Sequence, residues 1–163
     1  MTQMIREVSV KDRDVLALIA KLDEFQLSLY GIEGCNLESA SELLENKAYI
    51  LGAFNEGVLE GIGSLKLCGS YAEIKRMYFE EAHRSTGMAV ELIKGLEEYA
   101  ITNRVPQIYL ETGCFQKAAI KFYSKHGYDV VESFGKYQPN EVSIYMGKSL
   151  NTGTLANTSK VND

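Results

Sequence analysis

The sequence predicts an α/β (α+β) domain: a mixed, mostly antiparallel central sheet flanked by helices on both faces. Three observations predict it. Between Tyr49 and Phe79 three strand-like runs follow one another with only short turns between them, which describes an antiparallel meander. Two stretches, 15–29 and 89–100, repeat apolar residues at intervals of three and four, the signature of amphipathic helix. A strand at Gln107–Thr112 then lies between two helical patterns, so the chain makes at least one strand-helix-strand crossover.

In chain order, Ile5–Val10 reads as a first strand, and Lys11-Asp12-Arg13-Asp14 supplies an acidic helix entrance. The stripe Val15, Leu18, Ile19, Leu22, Phe25 and Leu29 places six apolar side chains on one helical face, and Gly31 and Gly34 end that helix. A shorter helix is predicted from Asn36 or Ser39 to Asn46, with Leu43 and Leu44 inward and a loop before it. The meander comprises Y-I-L-G-A-F, the turn Asn55-Glu56-Gly57, V-L-E-G-I-G-S-L-K-L, the turn Cys68-Gly69-Ser70, and Y-A-E-I-K-R-M-Y-F. A helix with Ala89, Leu92, Ile93, Leu96 and Ala100 on its apolar face is stopped by Asn103 and Pro106. After the strand at 107–112, a helix from Gln116 to His126 is closed by Gly127, suited to a left-handed C-terminal position. Strands near 128–131 and 142–146 complete one domain, 1–150. The tail 151–163, N-T-G-T-L-A-N-T-S-K-V-N-D, is polar enough to be expected disordered.

Composition bounds the function. The chain has 163 residues, of which 45% are hydrophobic and 24% charged, enough for one core. Seventeen Lys and Arg against twenty-two Asp and Glu give a net charge of −5, which speaks against a nucleic-acid partner and fits a small cationic substrate. Cys35, Cys68 and Cys114 form no C-x-x-C pair and stand near no His at ligand spacing, so neither a disulfide framework nor a metal site is expected, and a reducing cytoplasmic location is. No run approaches the roughly 20 apolar residues that span a bilayer. M-T-Q-M-I-R-E lacks the apolar core of a secretory signal, so no membrane role is expected.

The chemistry-bearing segment is Arg84-Ser85-Thr86-Gly87-Met88-Ala89, between a strand ending near Phe79 and the helix that follows. A strand that turns into a helix N-terminus presents unpaired backbone N–H groups and the positive end of the helix dipole, a site for phosphate oxygens. Gly87 lets a bulky anion approach the main chain. Arg84 adds charge, and Ser85 and Thr86 add hydroxyl donors.

This segment resembles the acetyl-CoA binding motif R/Q-x-x-G-x-G/A of the GNAT superfamily of N-acetyltransferases. The upstream flank E-I-K-R-M-Y-F-E-E-A-H-R is similar to the family's fourth strand and the loop after it. Downstream, Y-L-E-T-G-C-F-Q-K-A-A-I-K-F-Y-S-K-H-G-Y is similar to its fifth strand and next helix, where A-x-x-F-Y-x-x-x-G-Y is typical. The resemblance spans 49–146; Ser85 and Ala89 stand where relatives often have Gly.

The resemblance implies a GNAT-like sheet and an acetyl-CoA-dependent N-acetyltransferase that acts on a primary amine by direct attack in a ternary complex. It implies that main-chain groups of Met77, Tyr78 and Phe79 pair with the pantetheine arm. Arg84, Ser85, Thr86, Gly87, Met88 and Ala89 would hold the pyrophosphate. Gln116 would make a polar contact, with Ala119 and Phe122 beside it. Tyr123 matches the family's general acid, able to protonate the departing sulfur, and a backbone N–H near Phe79 is the expected oxyanion donor. Glu73 is the first candidate for the base and Glu111, on the neighbouring strand, the second; both carboxylates would also attract a cationic amine.

The acceptor pocket is expected from Tyr30–Leu37 and the turn F-G-K-Y-Q-P-N, with Phe134 and Tyr137 as walls. His83 and His126 read as turn and helix-end residues, and Cys114 lacks a partner for an acyl-cysteine route. Sheet pairing into a homodimer is a further implication of the family. The alternative from another class is a non-catalytic acyl-CoA sensor or interaction module. A dinucleotide-dependent oxidoreductase is discouraged by the lack of G-x-G-x-x-G after an early strand.

Overall fold

The structure, a computed structural model, describes residues 3–30, 48–79, 87–135 and 137–150. The shorter helix expected between Asn36 and Asn46, the Tyr30–Leu37 side of the acceptor pocket beyond Tyr30, and the polar tail lie outside the described residues. Among the described residues seven strands and three helices follow in the order β1 (Gln3–Glu7), α1 (Arg13–Tyr30), β2 (Tyr49–Asn55), β3 (Val58–Leu67), β4 (Ala72–Phe79), α2 (Met88–Thr102), β5 (Gln107–Gly113), α3 (Lys117–Lys125), β6 (Asp129–Val131) and β7 (Ser143–Ser149). The sheet order is β1-β2-β3-β4-β5-β7-β6. Residue contacts gather into two compact units, one drawn from the chain up to Lys66 with Ile74–Leu96, the other from Leu67–Glu73 and from Glu97 onward.

In the first unit the β2–β3 hairpin turns at Glu56 and Gly57, with φ of 51° and 84°. Two successive positive φ values match the strand twist, which explains the tight turn that Asn55-Glu56-Gly57 predicts. The two faces of these strands meet two helices, and a register shift between Ala53 and Phe54 brings Leu59 and Ile62, three residues apart, to the same side. Ile50, Leu59 and Ile62 pack with Val15, Leu18 and Ile19 of α1. On the opposite face, a Cβ at Gly63 would lie 3.1 Å from Leu92 and Leu96 of α2, and one at Gly95 would lie 2.6 Å from Leu51. The two glycines let the α2 backbone settle onto the sheet. The first strand begins two residues earlier than its sequence suggests. Ser9 and Asp12 instead form the α1 entrance, Ser9 N–H donating to Asp12 Oδ2 at 3.2 Å and Lys11 N–H to Ser9 Oγ at 3.0 Å.

In the second unit β5 and β6 pair antiparallel on either side of β7, with Glu111 opposite Tyr145 and Val131 opposite the same tyrosine. Gly147 lets the Tyr109 ring close over β7, since a Cβ there would meet that ring at 2.7 Å.

Candidate active site

Within the first unit, β4 carries Met77 and Tyr78 on opposite faces. Met77 Sδ lies beside Gly63, and Tyr78 packs against the α1 core. Their side chains are thus committed to packing, which suits the expectation that the main chain is what β4 offers a ligand. Arg84, Ser85 and Thr86 lie outside the described residues, as does the Phe79 side chain. Gly87 has φ of 87°, and among the described residues, its chain neighbours and own helix backbone aside, no atom lies within 4 Å of where a Cβ would stand. An exposed glycine of left-handed φ at the start of a 15-residue helix leaves the main chain open to a bulky anion. Met88, 2% exposed, anchors the first turn beneath it, and Ala89 is half-buried. These residues fit a diphosphate.

In the second unit, the end of α3 fixes Tyr123. Gly127, at φ of 96°, follows the last helical turn. Gly127 N–H donates to Ser124 C=O at 3.2 Å and Tyr128 N–H to Tyr123 C=O at 3.0 Å. These are the two bonds of a Schellman motif. Its apolar contact joins the Tyr123 and Tyr128 rings, edge to face at 5.7 Å, and Phe122 meets Tyr123 at 5.6 Å on another side. Tyr123 is 6% exposed, and burial pushes its phenol well above the usual tyrosine range; the hydroxyl therefore stays protonated. Tyr128 is held in turn, its hydroxyl donating to Glu97 at 2.8 Å, while Lys148 Nζ pairs with the same carboxylate at 3.0 Å. Burial first, and then Glu97, raise the Tyr128 phenol.

Glu73 and Tyr137 come together: the Tyr137 hydroxyl donates to Glu73 Oε2 at 2.6 Å, and Glu73 is 6% exposed. Phe134 is the hub of a ring cluster, stacked on Tyr109 at 4.9 Å and edge-on to Tyr71, Tyr137 and Tyr145 at 5.9, 5.1 and 5.7 Å. Glu111 accepts from Ser143 Oγ at 2.5 Å. Burial and the Glu111 charge raise the Tyr145 phenol, against the lowering effect of Ser143. Gln116 precedes α3, and its Oε1 accepts from Gly113 N–H at 3.0 Å, so this oxygen shapes the turn after β5. Ala119 and Phe122 are half-buried on α3.

Sequence reasoning passed over Tyr71, Tyr109 and Tyr145, whose meeting depends on strand order; the chain's ten tyrosines were the available signal. It also passed over Arg76, whose side chain is 1% exposed and ion-paired to Asp23 on α1. Among the described residues no cluster of three His, Cys, Asp or Glu is arranged to hold a metal ion, and no helix is long and apolar enough to cross a membrane.

The sequence profile of the Acetyltransferase (GNAT) family matches residues 17–128. The chain belongs to that family. As a GNAT protein it is an acyltransferase, and relatives of known name agree. It is 31% identical to the IAA acetyltransferase of Azospirillum brasilense over 147 residues, covering 89% of this chain and 95% of that one. The PaiA N-acetyltransferase of Thermoplasma acidophilum, solved in complex with coenzyme A, shares the fold with a TM-score of 0.72 at 20% identity, over 91% of this chain and 99% of that one. The ribosomal-protein-S18-alanine N-acetyltransferase of Escherichia coli shares it with a TM-score of 0.67 at 15% identity, over 94% and 97% of the two chains.

Proposed function

We propose that this GNAT protein transfers the acetyl group of acetyl-CoA to the primary amine of a small molecule by direct attack in a ternary complex. The observation that carries the reading is Tyr123, a buried phenol fixed by the Schellman end of α3 at the position matching the family's general acid. Acetyl-CoA supplies an activated acyl carbon and a thiolate leaving group. Main-chain groups of Met77, Tyr78 and Phe79 hold its pantetheine arm. Arg84, Ser85, Thr86, Gly87, Met88 and Ala89 hold its diphosphate, and the open left-handed Gly87 supports that assignment. Gln116, Ala119 and Phe122 line the coenzyme side.

Glu73 takes the proton that the amine loses on attack, a backbone N–H near Phe79 donates to the developing oxyanion, and Tyr123 gives its proton to the departing sulfur. Glu111 and Tyr137 contribute to amine binding. The Tyr123 phenol is protonated at neutral pH and so carries the proton to be given, with burial making it a weaker acid than a solvated tyrosine. The same reading takes 1–150 as the catalytic domain and 151–163 as a disordered tail, in a cytoplasmic enzyme able to pair into a homodimer.

A thiol-release assay with acetyl-CoA against a panel of primary amines tests this. Coenzyme release that depends on one class of amine is expected. Silence across the panel, with coenzyme binding intact by calorimetry, would overturn turnover in favour of a sensor.

A further inference from the structure

We infer that Tyr137 is a positioning residue for Glu73, so that one side chain both walls the acceptor and holds the base; this rests on the reading of Glu73 as the proton acceptor. A carboxylate 6% exposed needs donors to remain charged. The Tyr137 hydroxyl, 2.6 Å from Oε2, is one of them.

Its delivery is over-determined. Tyr137 N–H donates to Phe134 C=O at 3.0 Å, and the Tyr137 ring rests on Phe134 and Tyr145 at 5.1 and 5.8 Å. Gly135 takes φ of 57°, and the Tyr71 hydroxyl stands 2.7 Å from where its Cβ would be. Around this bond Tyr71 and Lys75 flank Glu73 along its own segment. Beside Tyr137 stand Tyr145 of β7 and, opposite it in register, Glu111 of β5. The ring of Tyr137 is half-buried and its hydroxyl is on the proposed base. An acceptor that displaces the ring therefore draws the hydroxyl off Glu73. Acceptor shape and proton removal are thereby read by the same residue.

The test compares Tyr137→Phe with Glu73→Gln in the full chain, using one amine throughout so that the amine's own ionisation is common to all curves. Tyr137→Phe should lower kcat about tenfold and move the acidic limb of kcat/KM to higher pH, because the carboxylate loses a donor to its charged form. The coenzyme Kd should not change, which also reports that the variant is folded. Replacing Tyr137 by 3-fluorotyrosine, a stronger donor with the same ring, should move the limb to lower pH. An unmoved limb in both variants, in an enzyme that Glu73→Gln inactivates, overturns the positioning role while leaving the base in place. Full activity of Glu73→Gln overturns the base reading and this inference together.

Discussion

The Tyr128 main-chain N–H donates to the Tyr123 carbonyl at 3.0 Å while the two rings meet edge to face at 5.7 Å. Backbone and side chain thus lock the proposed acid from both directions. The lock depends on Gly127, whose φ of 96° lies where a side chain is strained. Gly127→Ala should destabilise the fold by about 1 kcal/mol, lowering Tm by about 2–4 °C for a chain of this size. The Lys148 side chain that a new Cβ would meet at 3.3 Å is flexible and can yield. Thermal melts measure the loss, and kcat should fall with it.

Tyr123→Phe keeps the ring contacts and removes the proton. The expected result is a fall in kcat of ~100-fold or more, with coenzyme binding and Tm close to those of the native chain. Steady-state rates at saturating substrates check it; an unchanged kcat would show that the phenol gives no proton to the sulfur.

Alkaline pH should unfold the protein through its buried phenols. The strongly raised Tyr123 and Tyr128 stay neutral when folded, and Tyr145 is shifted in the same direction, whereas in the unfolded chain a tyrosine ionises near about 10. A raised folded value contributes stability that is complete below the unfolded value and declines as pH rises through the interval above it. Tm should therefore hold up to about pH 9 and fall steeply above about 10. Tyr123→Phe should flatten that slope, as melting curves across the range would show.

Asp23→Asn tests the tie between α1 and β4. Arg76 is 1% exposed and Asp23 40% exposed, so the partner lost is a half-solvated one and the charge left behind is buried. A destabilisation of about 1–3 kcal/mol is expected after discounting for solvent screening. Denaturant unfolding with an unchanged m-value would confirm a local loss.

Gly135→Ala should shift the Phe134–Tyr137 turn, since its Cβ would fall 2.7 Å from the Tyr71 hydroxyl. The amine kcat/KM should drop several-fold while the coenzyme Kd stays the same. Equal losses on both substrates would mean that the turn supports the whole fold rather than the acceptor wall.

Local signals made most of the fold legible. Periodicity marked α1 and α2, and a Gly after the last apolar turn marked the end of α3, because these features act within a few residues. The first strand was misplaced at its ends because Val8 and Val10 are apolar, yet Ser9 and Asp12 side chains take up the backbone there. At the site, Glu73 and Tyr137 were each singled out separately, the one from the family resemblance and the other from turn composition. Their grouping was not, since the Glu73–Tyr137 bond joins residues sixty-four apart. Arg76 illustrates the same limit: nothing beside it in sequence tells that Asp23 awaits it on a helix fifty-three residues earlier.

The brevity of β6 has its own effect. At the border of the sheet only Asp129, Val130 and Val131 are extended, and Val130 is 66% exposed. So short a ribbon, opened by an anion, gives a passing chain too few amides and carbonyls to dock in register. The apolar valine at its rim can thus remain in water without seeding runaway association between molecules.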